Sequence, residues 1–355
     1  MNTLVLTRKD LTEIVKTLGR DALMDEVLLE LARVLKEHDD ARTQIPKRQG
    51  FTYEKPRPGV LEWMPVMSAS RQVVVKVVSY NPGNPTDAGL PTIVSTISMY
   101  DCSTGHLVAL MDGILLTALR TGAASATATR ILARSGSSTV GLIGCGAQAV
   151  TQIHALSRVM RIQRVLFFDT DPAALASFPR RTGFLGLKMD SAPPDVVARE
   201  ADVLCTATSV EVGKGPVFED RDLKPWIHVN AVGSDLPGKI ELPLSLLKRS
   251  LVCPDFVEQA LVEGESQQLD VSALGPSLPE LVKNQALFEE HRDRPTVFDS
   301  TGYALEDMVA AEIVLAHARN MGLGREIAVE GILADPRNPY APLDVQVYRT
   351  AQRLS

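Results

Sequence analysis

Three small residues, Gly144, Gly146 and Ala149, stand in G-x-G-x-x-A spacing, which is suited to cradling a pyrophosphate with main chain alone. The first glycine permits a tight turn and the second removes any side chain between backbone and phosphate. The small third residue seats the next helix on its strand. The apolar run at 140–143 before the turn and QAVTQIHALSRV after it read as strand, turn, helix. Anionic phosphate then sits on the free N–H groups of the helix start. A second strand, 164–168, delivers Asp169 at about the distance expected of a ribose-binding carboxylate. Thr170 and Asp171 follow it with no adjacent arginine to neutralise a 2′-phosphate, so NAD is favoured over NADP. A second reading also stands, in which Asp169 only caps the helix that begins at Pro172.

Charges inside apolar strands form a second group. In VVVKVV, Lys76 shares a face with Val74 and Val78, while Val73, Val75 and Val77 take the other, so both faces look buried. An ammonium there is costly unless paired. It belongs either to a structural ion pair or to a pocket for an anionic ligand. Glu62 is likewise the polar member of a strand face with Val60 and Met64. Arg48 lies in the preceding strand-like stretch and Arg120 in a helix of small residues, and arginine is the usual bidentate holder of a carboxylate. Together they suggest a pocket that grips an amino acid by its α-carboxylate through Arg48, Lys76 and Arg120, with Glu62 available to an amine. In HVNAVGSDLPGK a strand runs out into Asp235, where ligands of doubly wound sheets bind. Asp235 is either a turn former or a general base beside a nicotinamide.

The elements that must position these groups change character along the chain. Residues 8–39 carry two amphipathic helical patterns parted near Gly19. Strand-like runs follow at 44–53, 59–67, 72–80, 92–101 and 107–111, divided by KPRPG and NPGNPTDAG, which predicts an antiparallel sheet or partial barrel. After the small-residue helix at 113–133, strands at 165–169, 186–189, 202–207 and 227–233 alternate with helices, which predicts a doubly wound parallel sheet of Rossmann type. FDSTGYALED and the helix after it are expected to return to the first half, and the tail from Asp335 reads as an extended surface segment. The fold class is therefore α/β with a second α+β domain: 1–112 with 303–355 for substrate and dimerisation, 113–302 for the dinucleotide.

Composition narrows the function. With 45% apolar residues, the 355-residue chain can bury a large core, and a net charge of −6 without a basic run argues against nucleic acid or anionic membrane. No stretch reaches transmembrane length, so a cytoplasmic protein is expected. Cys102, Cys145, Cys205 and Cys253 form no C-x-x-C pair, and the six histidines have no ligand spacing, so neither metal nor disulfide is expected.

The motifs GVLEWMP, VVVKVVSY, GLPTIVSTISMYD, ALRTGAASATATRILA, GLIGCGAQA, HVNAVGSD and FDSTGYALED, in this order, resemble the ornithine cyclodeaminase and mu-crystallin family over nearly the whole chain. Within it the likeness is greatest to the lysine cyclodeaminase branch, which makes L-pipecolate for secondary metabolites. The resemblance implies carboxylate binding by Arg48, Lys76 and Arg120, an acidic Glu62 near the substrate amines and a catalytic Asp235. It implies NAD contacts at Thr92, Arg120, Gly144, Gly146, Ala147, Gln148, Asp169, Thr208, Val232, Gly233, Ser234, Asp235, Lys239 and Ser300, and a homodimer built through the antiparallel domain. The implied activity is an ammonia-lyase reaction, L-lysine to L-pipecolate with recycled NAD. Ornithine turnover to proline, a net NAD-linked oxidoreductase and a non-enzymatic binder of a dinucleotide and small ligand are the competing readings.

Overall fold

The computed structural model describes residues 2–39, 41–68, 71–331, 333 and 335–340, and the chain in it builds two sheets. The first half opens with β1 (Thr3–Leu6), α1 (Arg8–Leu18) and α2 (Arg20–Glu37). Gly19, at φ 89°, turns the chain between the two helices in a conformation that side chains other than glycine resist. Then come β2 (Thr43–Gln44), β3 (Gln49–Tyr53), β4 (Gly59–Ser68), β5 (Gln72–Tyr80), the single turn α3 (Asn84–Asp87), β6 (Ile93–Asp101) and β7 (Leu107–Asp112). With β15 (Arg325–Ile327) the order is β15-β1-β7-β6-β5-β4-β2, and β3 also pairs with β4. The pairs from β2 to β7 are antiparallel, whereas β1 runs parallel to β7, so the sheet is mixed and open at both edges.

The small-residue segment becomes α4 (Ile114–Leu132), buried along nearly all its length. It leads into β8 (Thr139–Ile143), α5 (Ala147–Val159), β9 (Arg164–Phe168), α6 (Pro172–Arg181), β10 (Met189–Ser191), α7 (Pro194–Glu200), β11 (Val203–Thr206) and β12 (His228–Ala231). After these come α8 (Leu244–Arg249), β13 (Leu251–Pro254), α9 (Val257–Ala260), α10 (Leu278–Lys283) and β14 (Thr296–Asp299). This sheet is parallel throughout, in the order β10-β9-β8-β11-β12-β14-β13. Its order reverses between β8 and β11, so their carboxyl ends open a crevice. Finally α11 (Ala304–Met321) crosses back onto α2, α4 and the first sheet. A Cβ on Gly122 of α4 would lie 2.5 Å from the Thr151 carbonyl of α5, which shows how closely these helices cross.

Several expectations change. The four-residue runs β1, β13 and β14 escaped notice because they are too short to display a period. FDSTGYALED does not return to the first half as one piece: Thr296–Asp299 stays in the parallel sheet between β12 and β13, and only α11 goes back. On β5 the face of Val74 and Lys76 is buried, but Val73, Val75 and Val77 are half-buried, so the strand is not covered on both sides. The tail expected from Asp335 lies outside the described residues beyond Tyr340. Among the described residues no helix is long and apolar enough to cross a membrane, no His, Cys, Asp and Glu group is arranged to hold a metal, and all four cysteines are free.

Candidate active site

A cavity of about 1730 Å³ lies between the two halves, larger than the roughly 300–1,000 Å³ of most small-ligand sites. Its wall includes the glycine turn and Asp169 at one end, Lys76, Arg120, Arg48 and Glu62 at the other, and Asp235 between them. Lys76 and Asp235 therefore open onto one space.

At the dinucleotide end, Gly144 has φ 94°, and a Cβ there would lie 2.4 Å from the Ala207 carbonyl after β11. Gly146 borders open space, with nothing within 4 Å of the side chain it lacks. Asp169 accepts from the Cys145 N–H at 2.6 Å and the Asp171 N–H at 2.8 Å, while the cap of α6 is Asp171, which accepts from Ala173 N–H. The cap reading of Asp169 is thereby corrected: its carboxylate ties the turn to β9 and faces the cavity. Thr92, Ala147, Gln148, Thr208, Val232, Gly233, Lys239 and Ser300 also line the wall. Ser234 departs from the expectation, since it is buried behind the wall and donates to the Lys239 carbonyl. Burial pushes the Cys145 thiol up to about 12, consistent with a packing residue. An open-faced glycine turn, a strand-end carboxylate and room for a second ligand fit a dinucleotide on this chain's own geometry.

At the cationic end every expected cation meets an acid of the chain. Lys76 Nζ lies 3.0 and 2.8 Å from the two oxygens of Asp307. Arg120 donates to Glu306 at 2.8 Å and lies 3.1 Å from Asp307. Arg48, in the break before β3, pairs with Glu263, lies 3.6 Å from Glu62 and donates to the Thr301 carbonyl at 2.9 Å. Glu62, polar on its strand face as Lys76 is on the next, sits on Arg48, and the acid that meets Lys76 is Asp307. The site is thus both a buried ion-pair network and a cavity wall, which merges two readings held apart in the sequence. Arg48 Nε is buried without an acceptor among the described residues, a donor ready for an added anion.

Burial shapes these charges. It pushes Lys76 down to about 8, helped by the neighbouring Arg120 cation and opposed by Asp307. Glu306 is pushed up to about 8 by burial against the pull of Arg120. For Arg120 burial works against the charge, yet Asp307 and Glu306 outweigh it and hold the guanidinium protonated. Glu62 is raised by burial, with Arg48 opposing and Asp235 reinforcing, so it lies within reach of both ends of the site. Asp235 accepts from Lys239 Nζ at 2.8 Å, and that ammonium also lies 5.1 Å from the centre of the Tyr80 ring.

Sequence reasoning missed Glu263, Glu306 and Asp307 as counter-ions and Glu241 as a loop tie. Buried Glu241 accepts from Thr206 Oγ1, Thr208 N–H and Gly233 N–H, fixing two cavity-lining loops to each other. A signal existed for two of them: the Glu306–Asp307 pair interrupts the apolar first turns of α11, ALEDMVAA, just as Lys76 interrupts its strand.

With this geometry in place, the family follows: residues 5–322 match the ornithine cyclodeaminase/mu-crystallin family, and the chain belongs to it. It is 43% identical over 345 residues to the L-lysine cyclodeaminase of Streptomyces rapamycinicus, covering 96% of this chain and 100% of that one. Among solved structures it is similar to a lysine cyclodeaminase studied for recognition of L-lysine, L-ornithine and L-2,4-diaminobutyric acid, at TM-score 0.94 and 50% identity over 96% of this chain and 99% of that one. An archaeal alanine dehydrogenase dimer with bound NAD superposes at TM-score 0.83 and 32% identity, covering 93% of this chain and 100% of that one.

Proposed function

We propose that the protein is an NAD-dependent L-lysine cyclodeaminase, an ammonia-lyase that converts L-lysine to L-pipecolate. The observation that carries this reading is a single cavity joining a dinucleotide turn to a cationic pocket and a strand-end aspartate. The similarity to lysine cyclodeaminases in sequence and in structure supports the choice of substrate, and the NAD held by the alanine dehydrogenase relative supports the cofactor. When bound, NAD would supply a reversible hydride acceptor for Cα, which makes ring closure by the side-chain amine with loss of ammonia redox-neutral overall.

The chain's own residues position and protonate. Arg48, Lys76 and Arg120 bind the α-carboxylate, and the buried acids around them hold these cations in fixed directions. Substrate is then oriented by a preset array, which is catalysis by positioning. Asp235 takes the proton of the α-ammonium, which must be neutral before Cα is oxidised, and Glu62 receives an amine of the substrate. Ala147, Gln148, Asp169 and Thr208 hold the dinucleotide. The half-exposed face of the first sheet supports a homodimer, and four free cysteines suit a reducing cytoplasm.

The test is lysine labelled at one nitrogen, incubated with the purified protein and catalytic NAD. Expected are labelled or unlabelled ammonia according to the α position, L-pipecolate, and no net absorbance change at the nicotinamide band. A stoichiometric absorbance change would instead mean a net oxidoreductase. Asp235→Asn should lower turnover by at least a hundredfold while NADH binding, read by fluorescence, is retained.

A further inference from the structure

Arg181, the last residue of α6, was invisible as a cofactor residue in the sequence, yet its side chain is directed at the glycine turn. Its Nη2 donates to the Cys145 carbonyl at 2.5 Å and the Ala174 carbonyl at 3.0 Å, its Nη1 to the Gly146 carbonyl at 3.3 Å, and its Nε to Ser177 Oγ at 3.2 Å. The guanidinium carbon lies 5.4 Å from the Phe178 ring centre, and the residue borders the cavity. Thus two successive carbonyls of the turn are drawn to one fixed cation.

A trans peptide points its C=O and its N–H in opposite directions. With the oxygens of residues 145 and 146 drawn to Arg181, the N–H groups of Gly146 and Ala147 point away from it. These groups belong to the start of α5, where N–H groups have no acceptor within the helix. The remaining turn amides are already committed: Gly144 N–H donates to the Phe168 carbonyl at 2.9 Å and Cys145 N–H to Asp169. Asp169 and Arg181 therefore hold Cys145 through its N–H and its C=O, fixing two successive peptide groups.

We propose that Arg181 is a positioning residue for the dinucleotide: it aims the Gly146 and Ala147 N–H groups at the pyrophosphate and adds a fixed positive charge behind them. The inference rests on the cofactor reading above. It also settles a point raised by the sequence, where no arginine adjoins Asp169. One does stand at the turn in space, but its hydrogen bonds are spent on three carbonyls and a hydroxyl, leaving Asp169 to face the ribose.

Equilibrium binding tests this without turnover. NADH and ADP-ribose affinities are measured for wild type, Arg181→Gln and Arg181→Lys by fluorescence titration and competition, with nicotinamide mononucleotide, which has no pyrophosphate, as a third ligand. Expected in Arg181→Gln is a rise of about tenfold or more in Kd for NADH and ADP-ribose alike, an intermediate rise in Arg181→Lys, and no change for the mononucleotide. KM for the amino acid at saturating NAD should stay at the wild-type value. An NADH Kd within twofold of wild type in both folded variants would overturn the proposal, and so would equal losses for all three ligands. Should Arg181→Gln fail to fold, Arg181→Lys with Ser177→Ala provides the graded series. Wild-type protein that binds no NADH would overturn the cofactor reading itself, a result distinct from any pattern among the variants.

Discussion

Lys76 holds its charge against burial, and this sets a pH at which the pocket changes. Desolvation first and the Arg120 cation second push its pKa down to about 8. Below that value the ammonium is present and attracts a carboxylate; above it the attraction fades. KM for the amino acid is therefore expected to rise as pH passes about 8, with kcat less affected. Lys76→Arg should remove this basic limb from KM, because guanidinium stays protonated. Steady-state KM and kcat from pH 6.5 to 10 in the two proteins check it, and a limb unchanged in Lys76→Arg would assign it to another group. At this scale the sequence is legible where a charge breaks an apolar pattern, as in VVVKVV or ALEDMVAA. It is illegible where the partner lies far off in the chain: Asp307 meets Lys76 across 231 residues, and nothing local to either pairs them.

Within a single element, the two glycines of the turn after β8 perform separable tasks. Gly144→Ala places a Cβ 2.4 Å from the Ala207 carbonyl at a positive φ, so backbone must yield, and stability should fall by about 1–3 kcal/mol. Gly146→Ala meets open space at φ −73° and should leave the melting temperature within about 2 °C while weakening NADH binding at least tenfold. Thermal melts beside NADH titrations separate the two, and an equal loss of stability in both would mean that Gly146 too is structural. The long elements here were readable, both N-terminal helices from their period, β4 to β7 as apolar runs between Pro and Gly clusters, α4 from its small residues, and α5 and α6 from their alternation with strands. The short ones were not. A four-residue strand such as β14 earns its place by pairing on both sides, with β12 and β13, a property of the sheet and absent from its own letters.

For the molecule as a whole, Trp63, Val77 and Thr96 lie in register across β4, β5 and β6, next to Pro65, Val75 and Ser98, on the side of the first sheet turned away from the cavity. These residues are half-buried or exposed in one chain, so this is the face that the homodimer proposed above would cover. Val77→Glu is expected to give a monomer by light scattering with the fold retained, whereas Val74→Glu, on the fully buried face of the same strand, should prevent folding. A dimer that survives Val77→Glu would move the interface elsewhere. The sequence had assigned both sides of β5 to the interior because a run of valines reads the same whether one face or both are covered.

Among the described residues the chain passes between the two halves twice, along α4 on the way out and along α11 on the way back. Arg120 on the first is riveted to Glu306 and Asp307 on the second. The floor of the cleft is consequently a closed joint and not a free pivot, so any widening of the cleft has to come from its rim. Native-state amide exchange should find these two crossing helices the last parts of the molecule to open.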